Sequence, residues 1–472
     1  MKNTIKILFL ALVFTSGQLI AQSSTQDKYW EKAEDIVKNL EEPNIPEKTY
    51  PINDFGAVAD GITMNTEAIN KAIVKCNKEG GGTVLVKGGS FLTGPIHMKS
   101  NVNLHIEENS TLKFSTNPQD YLPMVLTRWE GDDCYNYSPL IYAIGQSNFS
   151  ITGKGTLDGQ ASGDNWWPWK GSKGAGWSEG AISQLDSVNR PQLKKFNDTQ
   201  VPVYKRQMAG HYLRPQFINF IYCKNLMIDG VTITNSPFWE IHPLLSENII
   251  IRNVIINSLG PNNDGIDPES CKNVLIEKCT FNTGDDCIAL KSGRDYDGRR
   301  AGIPIENVVI RNCDMNSGHG GVAIGSEISG GVKNIFVENC KMSSPDLDRA
   351  IRIKTNNSRG GITDGVFVRN IEVGQVRIAA VSINCSYHID REGEGDFPPL
   401  VKNIYVSNLT TEKANYAIWL KGIEGSNSVE NINITNCSFN GVTHKSEIDN
   451  VKNVNIKDVS INGEPFTYTE NK

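Results

Sequence analysis

The sequence predicts an all-β chain wound as a parallel β-helix of about ten coils, with a short N-terminal capping helix. One short phrase carries most of this. It appears as CKNLMIDGVTI from Cys223, SENIIIRNVII from Ser246, CKNVLIEKCTF from Cys271, IENVVIRNCDM from Ile305, VKNIFVENCKM from Val332, VKNIYVSNLTT from Val401, VENINITNCSF from Val429 and VKNVNIKDVSI from Val451, with a divergent copy, TDGVFVRNIEV, from Thr363. Earlier traces are SNVNLHI from Ser100 and QSNFSIT from Gln146. Within each unit apolar residues alternate over a few positions between Asn and Gly, the mark of a strand with a turn. The asparagines recur every 22 to 38 residues once the divergent copy is counted, an interval that suits one coil. Leucine-rich repeats have a similar period, but their LxxLxL framework is missing.

Stacked coils lie ~4.8 Å apart, so equivalent positions form ladders along the axis. Cys279, Cys313, Cys340 and Cys437 each follow their asparagine by six residues. They read as a column of small buried hydrophobes in preference to disulfides. Ahead of the coils, Thr66 to Cys76 has Ala68, Ile69, Ala72 and Ile73 at helical spacing and ends at Gly80-Gly81-Gly82. A helix there would close the open end of the stack, as repeat folds require. Lys28 to Leu40 reads as a second amphipathic helix.

The first 21 residues carry Lys2 and Lys6, an apolar Ile7 to Phe14 and a small-residue site at Leu19-Ile20-Ala21. This is the pattern of a secretory signal, and it predicts a periplasmic or extracellular protein. The apolar run is too short to span a bilayer, so no membrane insertion is expected. Residues 22–49 form a partly helical N-terminal segment, and 50–472 a single β-helical domain with a loop insertion at about 161–210. A net charge of -6 without a basic stripe argues against a nucleic-acid partner. A monomer is expected.

Asp264, Asp267, Asp285 and Asp286 fall within 23 residues, each beside Gly, Asn, Pro or another of the four. Any one of them fits turn chemistry, in which the side chain bonds its own backbone. Their repeat context points further. Asp264 and Asp285 are 21 residues apart, about one coil, so they should sit on adjacent rungs of one face. Asp285 and Asp286 share a site only if the chain bends, which Thr283-Gly284 permits. His319, between Gly318 and Gly320, comes 34 residues after Asp285, the excess absorbed by a loop from Arg294 to Ile303. One coil on, Arg352 and Lys354 alternate by two and share one face of a strand. Acids in a groove with a basic pair alongside suggest hydrolysis of a polysaccharide that is itself acidic, because paired carboxylates carry glycoside hydrolysis and Arg suits a carboxylate clamp.

These motifs resemble the polygalacturonases of glycoside hydrolase family 28. Asn262-Asn263-Asp264 is similar to the family's N-T-D, Gly284-Asp285-Asp286 to its G/Q-D-D, Gly318-His319-Gly320 to its G-H-G and Arg352-Ile353-Lys354 to its R-I-K, all in order. The DFGAxxDG stretch from Asp54 and GTLDGQ from Gly155 also match. The resemblance implies a right-handed β-helix that hydrolyses α-1,4-galacturonosyl bonds of pectin with inversion. It implies Asp285 as general acid, Asp264 with Asp286 holding the attacking water, and His319 tuning the acid. Arg352 and Lys354 would bind galacturonate carboxylates, with Asp267 and Tyr387 among the substrate-binding residues. No metal and no other cofactor is implied. Inversion leads to carboxylate separations of ~6.5 to 9.5 Å.

Asn263 departs from the usual Thr, and Lys87 stands where relatives often have Pro. The insertion carries Trp166, Trp167, Trp169 and Trp177, which either stack on sugars or pack a core of their own. With Arg128-Trp129 and Phe238-Trp239 through His242 it would wall off one end of the groove, and resemblance to exo-acting members of the family then favours release of sugars from chain ends. Rhamnogalacturonan or xylogalacturonan remains open as substrate, as do a calcium-dependent pectate lyase and a non-catalytic binding β-helix.

Overall fold

The computed structural model describes residues 28–388 and 395–469. The export signal read at 1–21 and the start of the 22–49 segment lie outside the described residues. The chain winds into a right-handed parallel β-helix whose coils present three sheet faces. On the first face one inward position runs in register through twelve rungs: Val84, Leu104, Ile151, Ile228, Ile251, Ile276, Ile310, Val337, Val368, Val406, Ile434 and Ile456. That exceeds the expected ten or so, because early coils with little of the repeated phrase are full rungs. The second face carries Phe91, Leu112, Leu157, Ile233, Ile256, Phe281, Met315 and Met342 in the same way.

The recurrent asparagine has two physical causes. Asn225, Asn248, Asn273, Asn307, Asn334, Asn403, Asn431 and Asn453 all have φ between 54° and 58°, the left-handed region that Asn tolerates and branched residues do not. Their amides also bond from rung to rung, as in Asn273 to Asn248, Asn307 to Asn273 and Asn334 to Asn307, each at 3.0 Å. All ten cysteines are free and buried, so the column from Cys279 to Cys437 is core, not cross-link.

Residues 28–38 form helix α1, and Thr66–Lys78 form α2. Helix α2 buries Ile69, Ala72, Ile73 and Cys76 against the first coil, the cap its sequence predicts. Helix α1 instead lies along the outside of the first face, with Ala33 and Ile36 on Met227, Ile250, Leu275, Val309, Phe336 and Phe367. This explains why strands such as Ile249-Ile250-Ile251 are apolar on both faces. Two further helices, α3 (Arg190–Asp198) and α4 (Asp295–Ala301), lie in loops. Helix α4 occupies the stretch expected to be a plain loop; its Asp295 and Asp297 sit in the first turn and Arg299 and Arg300 in the last, complementing the helix dipole.

The third face runs through Ile141, Ile218, Ile241, Ile266, Ile288, Val322, Ile351, Val381 and Ile418, which point into the core. Residues between them point outward. On the early coils they are covered by an antiparallel hairpin, Val125–Trp129 with Asp132–Asn136, and by the insertion bearing α3. The functional site lies where this cover ends.

Candidate active site

Asp264, Asp285 and Asp286 stand on consecutive rungs of the third face. The backbone N–H of Gly265 donates to the Asp286 carbonyl at 3.0 Å, and Ile266 pairs with Ile288. The residue stacked on Asp264 is therefore Asp286, not Asp285 as the 21-residue spacing predicts. Asp285 reaches the same side because the chain turns: the Thr283 hydroxyl donates to the Asp285 carbonyl at 2.9 Å, and the Asp286 N–H donates to Asp285 Oδ1 at 3.0 Å. Gly284 permits that turn, since a Cβ there would stand 2.1 Å from the Gly260 carbonyl oxygen. On the next rung Gly320 leaves room for the Asp286 carboxylate, which a Cβ would meet at 2.7 Å.

One oxygen from each of the three carboxylates lies within 4.8 Å of the others. The cause is the rung spacing itself, which fixes the distance between side chains stacked on neighbouring coils.

Each acid has different neighbours. Asp286 is fully buried and accepts from Arg352 Nη1 at 3.0 Å and Lys354 Nζ at 2.7 Å. Burial pushes its carboxyl up, but Lys354 and Arg352 outweigh that and hold it below the ordinary carboxylate range. Arg352 and Lys354 were expected on a sugar carboxylate; here they grip a catalytic-site aspartate while still lining the cavity. Asp264 has one oxygen without a partner and the other 3.7 Å from Lys291 Nζ. Burial and the neighbouring Asp285 raise it well above its usual value. Asp285 is the most open of the three, its side chain 18% exposed against 5% and 0%. Its Oδ1 lies 3.0 Å from His319 Nδ1, and its Oδ2 accepts from Asn262 Nδ2 at 3.4 Å. Burial raises it, and the His319 contact with Lys354 and Arg352 more than reverses that. The same contact raises His319 to about 9.

Arg352 and Lys354 already neutralise Asp286, which lowers the negative charge the three acids would offer a cation.

Asp264, Asp285, His319, Arg352, Lys354 and Tyr387 line one cavity of about 550 Å³. Tyr387 lies beneath both cations, 5.6 Å from Arg352 and 5.5 Å from Lys354. Asp267 does not join them. It is fully buried with both oxygens unpartnered, so its expected contact with substrate is corrected to a place beneath the site. Burial and the neighbouring Asp264 push its carboxyl well up.

The far wall of the cavity belongs to the insertion, but not to its tryptophans. Trp166 is core, Trp169 packs on it at 4.9 Å, Trp167 donates to the Ser236 carbonyl and Trp177 to the Ala181 carbonyl. The alternative of a loop with its own core is the one realised. Arg128, Trp129, Phe238 and His242 are likewise buried and do not line this cavity; of that group Trp239 reaches it. The wall is polar: Lys170, Gln184 and Arg190 face the acids together with Glu130. Asn263 turns inward, bonding Ser236 and Phe238 carbonyls, so its departure from Thr touches the turn and not the chemistry.

Three residues missed in the sequence complete the site. Asn262 accepts from Lys170 Nζ at 2.7 Å and Arg214 Nη2 at 2.9 Å while donating to Asp285. Lys291 bridges Asp264 and Glu327 and sits 4.2 Å from the Trp239 ring. Its place was legible: two residues past the outward Ala289, alternation puts Lys291 outward as well. Lys170 carries no such signal, because nothing in the insertion repeats.

The chain matches Glycosyl hydrolases family 28 over residues 204–461. It is 31% identical to a probable polygalacturonase of Vitis vinifera over 382 residues, spanning 78% of this chain and 70% of that one. It is 28% identical to an exo-poly-alpha-D-galacturonosidase of Dickeya chrysanthemi over 411 residues, 79% of this chain and 64% of the other. Among solved structures, the hyperthermoactive exopolygalacturonase of Thermotoga maritima superposes with a TM-score of 0.88 at 44% identity, covering 92% of this chain and 96% of that one. With a carboxylate cluster built on β-helix rungs and these relatives, the chain belongs to glycosyl hydrolase family 28 and is a polygalacturonase-like glycoside hydrolase.

Proposed function

We propose that the chain hydrolyses α-1,4-galacturonosyl linkages of pectin from chain ends, by acid/base catalysis with inversion. One observation carries the reading: of three clustered carboxylates of unequal ionisation, Asp264 and Asp285 line a cavity together with Arg352 and Lys354, Asp286 is buried and bonded to that same pair, and the insertion supplies one wall. The names of the Thermotoga and Dickeya relatives, both exo-acting, support the same mode.

Asp285 is the acid. It is the carboxylate a leaving oxygen can reach, and with His319 it stores one proton, whether drawn as imidazolium and carboxylate or as imidazole and carboxylic acid. That proton goes to the leaving oxygen. Asp264 and Asp286 hold the water and, as a pair, accept the proton it loses when its oxygen bonds the anomeric carbon. Two facts count against a covalent nucleophile. Both Asp286 oxygens are engaged by cations, and Asp264 sits where its neutral form is favoured. Arg352 and Lys354 also face the cavity, which suits the carboxylate of the next sugar.

The pattern at 1–21 supports export to the periplasm or beyond. Among the described residues no helix is long and apolar enough to cross a membrane.

The test is a time course on de-esterified polygalacturonate that follows reducing ends, viscosity and ultraviolet absorbance, with proton NMR of the first anomer released. Reducing ends rising while viscosity stays high, with the β-anomer first, is the expected result. Fast loss of viscosity overturns chain-end action, a first α-anomer overturns inversion, and rising absorbance means elimination. Activity only on rhamnogalacturonan or xylogalacturonan moves the substrate.

A further inference from the structure

The third face continues past the catalytic rungs, and its outward side chains there are neither core nor catalytic. Arg349 pairs in register with Ala379 and then Tyr416; Arg352 pairs with Ser382 and then Trp419. Two rows of the sheet thus lead from the basic side of the cavity to two aromatic residues, each two rungs on, ~10 Å along the axis. The intervening rung carries only Ala379 and Ser382. Over these small residues the Arg349 guanidinium extends to within 5.4 Å of the Trp419 ring. Arg377 adds a second guanidinium, 63% exposed and fixed by its Nε on Asp348 Oδ1 at 2.7 Å.

The aromatic pair is held in place. The Trp419 indole N–H donates to Glu447 Oε2 at 2.7 Å. Tyr416 lies 6.4 Å from Trp419 and 5.0 Å from His444. Both rings are half-buried, so one side of each remains at the surface. A fixed half-exposed aromatic costs little entropy to use, and alternating guanidinium and ring faces match a polymer whose units each carry a carboxylate and an apolar ring face.

We propose that Arg349, Arg377, Tyr416 and Trp419 form a track that binds the downstream galacturonate units of the polymer, beyond the sugar held at Arg352 and Lys354. This rests on the polygalacturonate reading above, and it follows from where the cavity is shut. The insertion closes the side of Lys170 and Arg190, so the uncut remainder of a chain must leave across the other side, over these rungs. The track makes the enzyme prefer long substrates to short ones without touching the reacting atoms.

The test compares kcat/KM on polygalacturonate with kcat/KM on digalacturonate, which is too short to reach the track, for the wild type, Trp419→Ala, Tyr416→Ala and Trp419→Phe. The expected result is a fall in the polymer-to-dimer ratio of roughly five- to tenfold for each alanine variant, with Trp419→Phe keeping most of the wild-type ratio. Melting temperatures identify a variant that has lost its fold, in which case the other alanine variant carries the comparison. An unchanged ratio in a folded alanine variant overturns the track. A wild type inactive on both substrates overturns the polygalacturonate reading, and the track with it.

Discussion

The outward row of the third face changes character half-way along the β-helix. On the early coils Tyr142, Asn219 and His242 stack in register and are buried under the hairpin and the insertion. On the later coils the same row presents Arg352 and then Trp419 to the cavity and the surface. Backbone geometry is shared by the two halves, so the difference comes from what covers them. Beneath the cover charges are fixed in pairs: Glu269 accepts from Arg128 Nη1 at 3.1 Å and lies 2.9 Å from His242 Nε2. Beyond it charges face a groove. The proposed catalytic acids sit at the boundary, desolvated on one side and reachable from the other.

The sharpest way to break this contrast is to alter one member on each side. Asp285→Asn removes the acid at the boundary and should lower kcat ~10² to 10⁴-fold with little change in melting temperature; reducing-end assays at saturating substrate would show it. Glu269→Gln, under the cover, should do the reverse. It takes one of two carboxylates from buried Arg128, leaving Asp133, and the lost charge-assisted hydrogen bond costs ~1.5 to 3 kcal/mol of stability, read as a lower melting temperature, while kcat moves far less than in the acid variant. Should Glu269→Gln instead abolish turnover and spare stability, the covered half is part of the chemistry.

Lys354→Ala tests the link between the halves. It takes one of two cations from Asp286, and a charge-assisted hydrogen bond of ~1.5 to 3 kcal/mol translates to a roughly 10- to 100-fold drop in kcat, accompanied by a higher KM for oligogalacturonides. A change in KM alone would mean that the lysine serves substrate and not Asp286.

The smallest effect belongs to His319→Gln and is read as pH dependence. The folded His319 is raised from 6.5 to about 9, so its contribution to stability is complete below 6.5 and fades as pH rises through about 9. Asp285 is lowered from 3.8, so its contribution is present above 3.8 and is lost as pH falls further. The melting-temperature gap between wild type and His319→Gln should therefore be widest between pH 4 and 6.5 and close toward pH 9. In activity, the alkaline limb of kcat/KM should move to lower pH in the variant, because Asp285 alone keeps its proton less well than the pair does.

Much of this contrast was legible before any coordinates. Four acids, a histidine and two cations recur at coil spacing, and a β-helix converts coil spacing into proximity. What stayed hidden depended on parts that do not repeat. The turn at Gly284 shifts the register, so Asp286 and not Asp285 stacks on Asp264. Asp267 alternates outward in sequence, yet it is sealed off, and no local pattern reports that. Lys170 and Arg190 come from an insertion whose path is set by its own tryptophan core, so their arrival at the cavity is a tertiary fact. Asn262 was visible as part of a motif, but its role as a bridge between Lys170 and Asp285 needed the insertion in place.

The asparagine ladder has a consequence for how such a chain can change. One rung joins Ile151 to Ile228 and the next joins Ile228 to Ile251, so a coil may consume 77 residues or 23 and still land in register. Because the left-handed corner and its amide bond fix where most first-face strands begin, surplus sequence is ejected as loops and leaves the first-face rungs in register. Catalytic spacing and substrate selection are thus inherited separately: the stack keeps the acids at their distance while the loops are free to lengthen, shorten or be exchanged, and an enzyme that cuts from chain ends and one that cuts within them can differ by the size of a single excursion.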